Sequence, residues 1–232
     1  MKKYLYAIVA LLFGFCFATG LCVRALSEPT AVANLSSIPS MRIVLDAGHG
    51  GIDGGVVGVK TGNKESDVNL TIVYALKERL MDAGFAVTLT RVTDGGLYGD
   101  TSPGFKRRDM EKRKQIAESV SPHCVISIHQ NYYPSTSSRG GQVFYTKDRE
   151  ESERLASAIQ TELNALYAKQ GVKDRKHKHA DYFMLRLAPP SVLVECGFLS
   201  NPKDDELLSD SNFCSRIADG IATGLLASIS QA

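Results

Sequence analysis

The stretch Arg42-Ile43-Val44-Leu45-Asp46-Ala47-Gly48-His49-Gly50-Gly51 decides the fold, because it runs from a short apolar segment into a glycine-rich turn. The apolar part, residues 42–45, is typical of a buried strand. The turn could cradle a phosphate, but it lacks the Lys-Ser/Thr pair of a P-loop and the GxGxxG spacing of a dinucleotide-binding turn. His49 is therefore either a simple turn residue or a metal ligand.

Strands and helices alternate along the chain from Met41 onward. The periodicity of the apolar residues predicts strands at 42–45, 85–90, 124–128, 141–145 and 191–195, and helices at 66–83, 106–119 and 151–169, with a last helix whose core face includes Phe213 and Ile229. This alternation predicts a single α/β domain with a largely parallel central sheet flanked by helices.

Three polar residues stand at or just past the carboxyl ends of predicted strands, where parallel sheets place their functional sites. They are His49, His129 in Ser-Ile-His-Gln-Asn, and Glu195 in Val-Leu-Val-Glu-Cys-Gly-Phe. Glu65 begins a predicted helix instead and can face the same crevice. The helix dipole alone favours an acid at that position, whereas an ionised Glu195 after an apolar run is costly to bury without a cation or a partner.

Taken together, these four residues have the composition of a catalytic zinc site. His49, Glu65 and His129 supply three donors of the types that zinc binds, and a catalytic zinc keeps its fourth position for water. Glu195 then stands where a buried base is needed. The combination predicts a metal-dependent hydrolase.

Four motifs follow one another from about Arg42 to the C-terminus: Asp-Ala-Gly-His-Gly-Gly, Lys-Glu-Ser-x-x-Asn-Leu, Ser-Ile-His-Gln-Asn and Val-Glu-Cys-Gly-Phe-Leu-Ser-Asn-Pro. This series resembles the zinc-dependent N-acetylmuramoyl-L-alanine amidases of the amidase_3 family. The resemblance implies the α/β, phosphorylase/hydrolase-like fold of that family. It also implies Zn²⁺ as the cofactor, with His49, Glu65 and His129 as its ligands and Glu195 as the catalytic residue.

The small size, the leader and the segment Gly140-Gly141-Gln142-Val143-Phe144-Tyr145 further resemble the germination-specific amidases of endospore formers. That resemblance implies cleavage of the amide between the lactyl group of N-acetylmuramic acid and L-alanine in cortex peptidoglycan, as the first step toward muramic-δ-lactam. Arg186, in a segment that lies near the site in relatives, and Asn131 are candidate substrate contacts. An exported accessory protein that orders the three ligands is a further hypothesis.

Two other functions stay open at this point. A zinc-dependent peptidoglycan deacetylase also acts on the cell wall, but such enzymes use an Asp with a His-x₃-His pair, and this chain has no such pair. A catalytically inactive module that binds the cell wall or regulates another enzyme would keep the fold. Such a module has no need to retain His49, Glu65, His129 and Glu195 together.

The first 40 residues predict export. Lys2 and Lys3 precede an almost unbroken apolar run of 17 residues, Ala7–Val23. Residues 1–33 are therefore predicted to be a signal peptide or a membrane anchor, residues 34–40 a linker, and residues 41–232 the catalytic domain. The folded part should lie across the cytoplasmic membrane, in the cell wall or the forespore intermembrane space, and should contact the membrane only through the N-terminal segment.

Composition excludes two classes of protein. Outside residues 1–33 the chain carries 24 basic and 24 acidic residues, so it lacks the basic excess of a nucleic-acid binder. The same part keeps three cysteines, Cys124, Cys196 and Cys214. Three is an odd number and the spacing matches no metal knuckle, so we expect buried free thiols rather than a disulfide framework.

Overall fold

A six-stranded sheet runs through residues 41–230, the part of the chain that the computed structural model describes. Its strands are β1 Arg42–Ala47, β2 Ala86–Leu89, β3 Cys124–Asn131, β4 Gln142–Tyr145, β5 Lys178–His179 and β6 Ser191–Phe198. They lie in the order β2-β1-β3-β6-β4-β5. The first four of these are parallel, and β4 runs antiparallel to β6. The prediction of a largely parallel sheet is therefore confirmed.

The predicted leader and linker, residues 1–40, and the last two residues lie outside the described range. Between residues 41 and 230, no helix combines the length with the apolar content that a bilayer crossing requires.

Five helices of the described range flank the sheet: α1 Glu65–Asp82, α2 Phe105–Ser119, α3 Glu150–Ala168, α4 Pro202–Leu208 and α5 Ser211–Ser230. Helices α1, α3 and α5 pack together on one face and bury the main apolar core against the strands. Ile72, Ile159 and Ile221, one from each helix, are fully buried there with Ile43 of β1. Each such side chain stabilises the fold by about 1.5–3 kcal/mol through its removal from water.

The opposite face of the sheet has a smaller apolar cover and carries the polar residues. Val44 and Val125 pack there against α2 and a short 3-10 helix, Phe183–Arg186. Because successive residues of a strand point to opposite faces, His129 of β3 shares this face with Val125. Glu195 of β6 points the same way from the neighbouring strand.

Strands β3 and β6 extend beyond the ends that the apolar pattern predicts, to Asn131 and Phe198. His129 and Glu195 face each other in the β3–β6 ladder, so the backbone pairing continues past the residues at which the apolar run stops. Helix α4 is also absent from the prediction. Its signals are nonetheless in the sequence, because Asn201 caps the helix and a proline follows at its first position.

The three cysteines of the described range are buried and free, as expected. Burial raises the pKa of Cys124 to about 12 and that of Cys214 to about 11. Cys196 points into the main core, away from the face that carries its neighbour Glu195. All three thiols are therefore structural, and none of them is part of the polar site.

Candidate metal centre

Three side chains converge at the carboxyl ends of β1 and β3. One donor atom each from His49, Glu65 and His129 lies within 4.8 Å of the other two. Glu65 Oε1 is 3.3 Å from His49 Nε2 and 3.0 Å from His129 Nδ1. The two imidazole rings meet edge to face, with their centroids 5.0 Å apart. The structure thus brings together the three ligands that the sequence predicts.

The backbone of the glycine-rich turn delivers His49 to this point. His49 has a φ of 61°, in the left-handed region that non-glycine residues seldom adopt. Gly48, just before it, has no side chain, and the imidazole of His129 occupies the space where a Cβ would stand. The missing side chain of Gly48 therefore leaves room for the His129 ring, and the backbone at position 49 directs the His49 ring into the site.

Two buried arginines hold the carbonyl groups of this turn. Arg113 of α2 donates to Ala47 O at 2.6 Å and to His49 O at 2.5 Å. Arg91, which follows β2, donates to Ala47 O at 2.8 Å and to Gly48 O at 3.0 Å. These carbonyls have no strand partner where the chain leaves the sheet, so the guanidinium groups satisfy them. The roles of Arg91 and Arg113 could not be told from the sequence, because both lie far from the turn along the chain.

A buried carboxylate, Asp46, balances the charge of Arg113. It accepts hydrogen bonds from Arg113 Nη1 at 2.8 Å and from the hydroxyls of Thr90 and Ser127, each at 2.6 Å. Burial alone would raise the pKa of Asp46, but the charge of Arg113 and these hydrogen bonds lower it to about 2. The Asp of Asp-Ala-Gly-His-Gly-Gly is therefore a support for the turn rather than a ligand.

Glu65 is held in its ionised form. It is the first residue of α1 and is almost fully buried. Backbone amides of Gln130 and Val56 donate to its two oxygens, each at 3.0 Å. Burial favours the neutral acid, but hydrogen bonds and charge interactions with His129 and His49 keep the pKa of Glu65 well below its usual value. The site therefore presents an anionic oxygen between two ring nitrogens.

Asp53 orients the His49 ring from outside the cluster. Its Oδ2 lies 3.2 Å from His49 Nδ1, so the Nε2 atom of the same ring is the one directed at Glu65. A carboxylate that binds the outer nitrogen of a histidine in this way fixes the tautomer and the ring direction at metal sites. The sequence holds only a weak sign of this role, an acid four residues after a histidine.

Glu195 lies beside the cluster, directly across the β3–β6 ladder from His129. Its Oε2 atom is buried and has no hydrogen-bond partner among residues 41–230. Burial raises the pKa of Glu195 to about 7, although the nearby His129 and His49 oppose that rise. A carboxyl group with this pKa can take up and release a proton near neutrality, as a general base requires.

A cavity of about 260 Å³ opens next to these residues on the same face of the sheet. His49 and His129 line it, and most of its remaining wall is apolar: Tyr98, Phe105, Met110, Tyr182, Phe183, Met184 and Leu193. An apolar cleft with a few convergent polar groups is the usual form of a small-ligand site.

The two predicted substrate contacts, Arg186 and Asn131, make contacts within the protein itself. Arg186 is exposed and forms a two-point ion pair with Asp181, at 2.7 and 2.9 Å. Asn131 ends β3, where its backbone oxygen accepts a hydrogen bond from Leu199 N. Neither residue lines the cavity, and their roles in substrate binding stay predictions.

Comparison with known proteins gives a family match over most of the chain. A family model described as N-acetylmuramoyl-L-alanine amidase (Amidase_3) matches residues 43–227. The germination-specific N-acetylmuramoyl-L-alanine amidase of Bacillus subtilis is 35% identical over 187 residues, which cover 79% of this chain and 78% of that protein.

Solved structures give the same result. The CwlD amidase from Clostridioides difficile, whose structure contains the GerS lipoprotein, superimposes with a TM-score of 0.79 at 36% identity, covering 83% of this chain and 100% of that one. The catalytic domain of CwlV from Bacillus (Paenibacillus) polymyxa superimposes with a TM-score of 0.71 at 30% identity, covering 82% and 98%.

Proposed function

The chain belongs to the N-acetylmuramoyl-L-alanine amidase family, and from this premise we propose that it is a zinc-dependent amidase of spore-cortex peptidoglycan. As a member of the family it hydrolyses an amide of peptidoglycan. The bond is the one between the lactyl group of N-acetylmuramic acid and L-alanine. The observation that carries the proposal is the convergence of His49, Glu65 and His129 beside the buried oxygen of Glu195.

The three donors suit zinc in type, and the two distances from Glu65 suit it in spacing. Two imidazoles and one carboxylate form a ligand set found in zinc hydrolases, and donors 2.0–2.2 Å from a tetrahedral ion are about 3.3–3.6 Å from each other. Glu65 Oε1 lies 3.3 and 3.0 Å from the two ring nitrogens, so a small closure or opening of the cluster accommodates the ion. Asp53 supplies the outer hydrogen bond that such a histidine ligand usually has.

Glu195 performs the proton transfers in this proposal. Bound zinc would supply a Lewis acid that polarises the lactyl carbonyl and activates a water molecule. Glu195 Oε2 takes the proton of the attacking water and then returns it to the nitrogen of L-alanine as the amide bond breaks. The products are a free stem peptide and a glycan strand with a bare lactyl carboxylate.

The cortex role rests on the relatives. The Bacillus subtilis relative is named as germination-specific, and a bare lactyl carboxylate is the group from which a muramic-δ-lactam must be built. Such a role places the folded part outside the cytoplasmic membrane, carried there by residues 1–33. Since the Clostridioides difficile relative was solved in complex with a lipoprotein, we include an exported accessory protein as a partner of this chain.

Product analysis tests the proposal. The zinc-loaded chain is incubated with purified muropeptides, and the masses of the products are measured, with chelator-treated and zinc-restored protein as paired controls. Release of the intact stem peptide, lost on chelation and regained with zinc, is the expected result. Release of acetate would identify a deacetylase, and unchanged muropeptides would identify an inactive binding module; either result contradicts the proposal.

A further inference from the structure

The cavity beside the metal centre is lined in part by β6, the strand that carries Glu195. Glu195 has to reach the nitrogen of L-alanine in order to protonate it. Leu193, two residues before Glu195 and on the same face of β6, lines the cavity, as does Tyr182. Burial and the charge of Glu195 both raise the pKa of Tyr182. A stem peptide that leaves the scissile bond along β6 would cross this cavity.

One cationic group at the cavity is available to a ligand. Arg113 and Lys106 are the Arg and Lys residues that line it. Arg113 is fully buried, and its guanidinium group already donates to two carboxylates and two backbone carbonyls of the protein. Lys106 of α2 is 68% exposed and has a single ion pair, 3.4 Å from Asp53 Oδ1. An ammonium group has three donors, so Lys106 can bind a second carboxylate without releasing Asp53.

The size of the cavity fits a short piece of peptide. A sphere of 260 Å³ is about 8 Å across, and two extended residues span about 7 Å. A peptide that enters the cavity from the β6 side, at Leu193, and crosses it would bring its second residue to the wall formed by α2. In peptidoglycan that second residue is a γ-linked glutamate, whose α-carboxyl group is outside the peptide chain and is either free or amidated.

We propose that Lys106 is a specificity residue that binds the free α-carboxylate of the second stem-peptide residue, with the L-alanine end of the peptide in the apolar cavity. This inference rests on the proposed amidase function. It gives the enzyme a preference for stem peptides with γ-linked glutamate over those with the α-amidated residue, because a carboxamide has no negative charge for the ammonium group.

A purely structural role for Lys106 has a different consequence. Lys106 also pairs with Asp53, which orients His49, so the loss of Lys106 should also change the overall rate. Such an effect acts equally on every substrate. The change in overall rate therefore cancels in the ratio of rates on two substrates that differ only at the α-carboxyl group.

The test uses two disaccharide–tetrapeptides, one with an α-carboxylate and one with an α-carboxamide at the second residue. The zinc-loaded full chain should show a kcat/KM about 5- to 20-fold higher for the carboxylate, an effect between those of an exposed ion pair and a hydrogen bond to a charged group. Lys106→Gln should bring this ratio close to one, and Lys106→Arg should retain most of it. Lys112→Gln, at an exposed position on the same helix outside the cavity, should keep the wild-type ratio.

A wild-type enzyme without preference, or an unchanged ratio in Lys106→Gln, would overturn the inference while leaving the amidase function intact. If the wild-type enzyme cleaves neither substrate, the proposed function itself fails, and this inference fails with it.

Discussion

Replacing Gly48 with alanine tests how the turn and His129 share one space. The backbone of Gly48 is outside the left-handed region, so the added methyl group causes no backbone strain. Its Cβ would stand 2.7 Å from His129 Nδ1 and closer still to two other atoms of the ring. Carbon and nitrogen atoms pack at about 3.5 Å or more, so the imidazole must retreat by roughly 1 Å.

A metal site does not tolerate a movement of that size, because its ligand distances hold to within about 0.2 Å. Loss of an outer hydrogen bond to a ligand already lowers metal affinity by about 10- to 100-fold. For a displaced ligand we therefore expect the zinc affinity of Gly48→Ala to fall at least about 100-fold, or about 2.7 kcal/mol. Crowding should cost about 1–3 kcal/mol of unfolding free energy, less than the 5–15 kcal/mol typical of a domain.

The assay is competition for zinc between the protein and a chromophoric chelator, with urea unfolding of the zinc-free protein measured in parallel. Gly220→Ala is the matched control, since its Cβ would lie 3.5 Å from Glu162 Cβ, an ordinary contact. That variant should bind zinc as the wild type does. If Gly48→Ala also keeps the wild-type affinity, then His129 does not bind the ion from the position described.

Three further predictions concern the proton carrier and the support of the turn. Glu195→Gln should keep one zinc per chain but lose at least about 10²-fold in kcat; near-normal turnover, measured by peptide release, would show that another group carries the proton. Arg113→Met leaves buried acceptors without a partner and should lower the unfolding free energy by about 3–5 kcal/mol in urea titrations. Arg107→Met, at an exposed position on the same helix, should stay within about 0.5 kcal/mol of the wild type, and equal stability of both variants would contradict the structural role of Arg113. The pKa of Asp46 is about 2 in the folded chain, whereas an aspartate in the unfolded chain has its usual pKa of 3.8. Its contribution of about 2 kcal/mol to the unfolding free energy is therefore present above pH 4 and is lost as the pH falls toward 2. In Asp46→Asn the unfolding free energy should therefore fall less steeply as the pH is lowered from 4 to 2. An unchanged slope would show that Asp46 does not make this contribution.

The sequence predicts the site better than it predicts what supports the site. His49, His129 and Glu195 follow apolar runs that are recognisable as strands, and parallel strands bring their carboxyl ends to one edge of a sheet. Glu65 was expected to reach this edge from the start of a helix, and its carboxylate lies there. Local patterns are sufficient in these cases because each residue stands at the end of an element with strong periodicity.

The supporting residues leave no such local pattern. Arg113 lies 64 positions from His49 along the chain, on a helix so rich in charge that one more arginine carries no signal of burial. The edge strand Lys178–His179 lies in a charged segment that is typical of a solvated loop, and only pairing with β4 makes it a strand. Contacts of this kind depend on which elements become neighbours in the fold, and periodicity along the chain does not report that.

Anomalous diffraction at the zinc edge, from crystals of the zinc-loaded protein, tests the metal centre most directly. The account predicts one peak at about 2.0–2.2 Å from a donor atom of each of His49, Glu65 and His129, with Glu195 nearby but not coordinated. A peak bound elsewhere, for example at His177 and His179, or no peak between these three side chains, would contradict it.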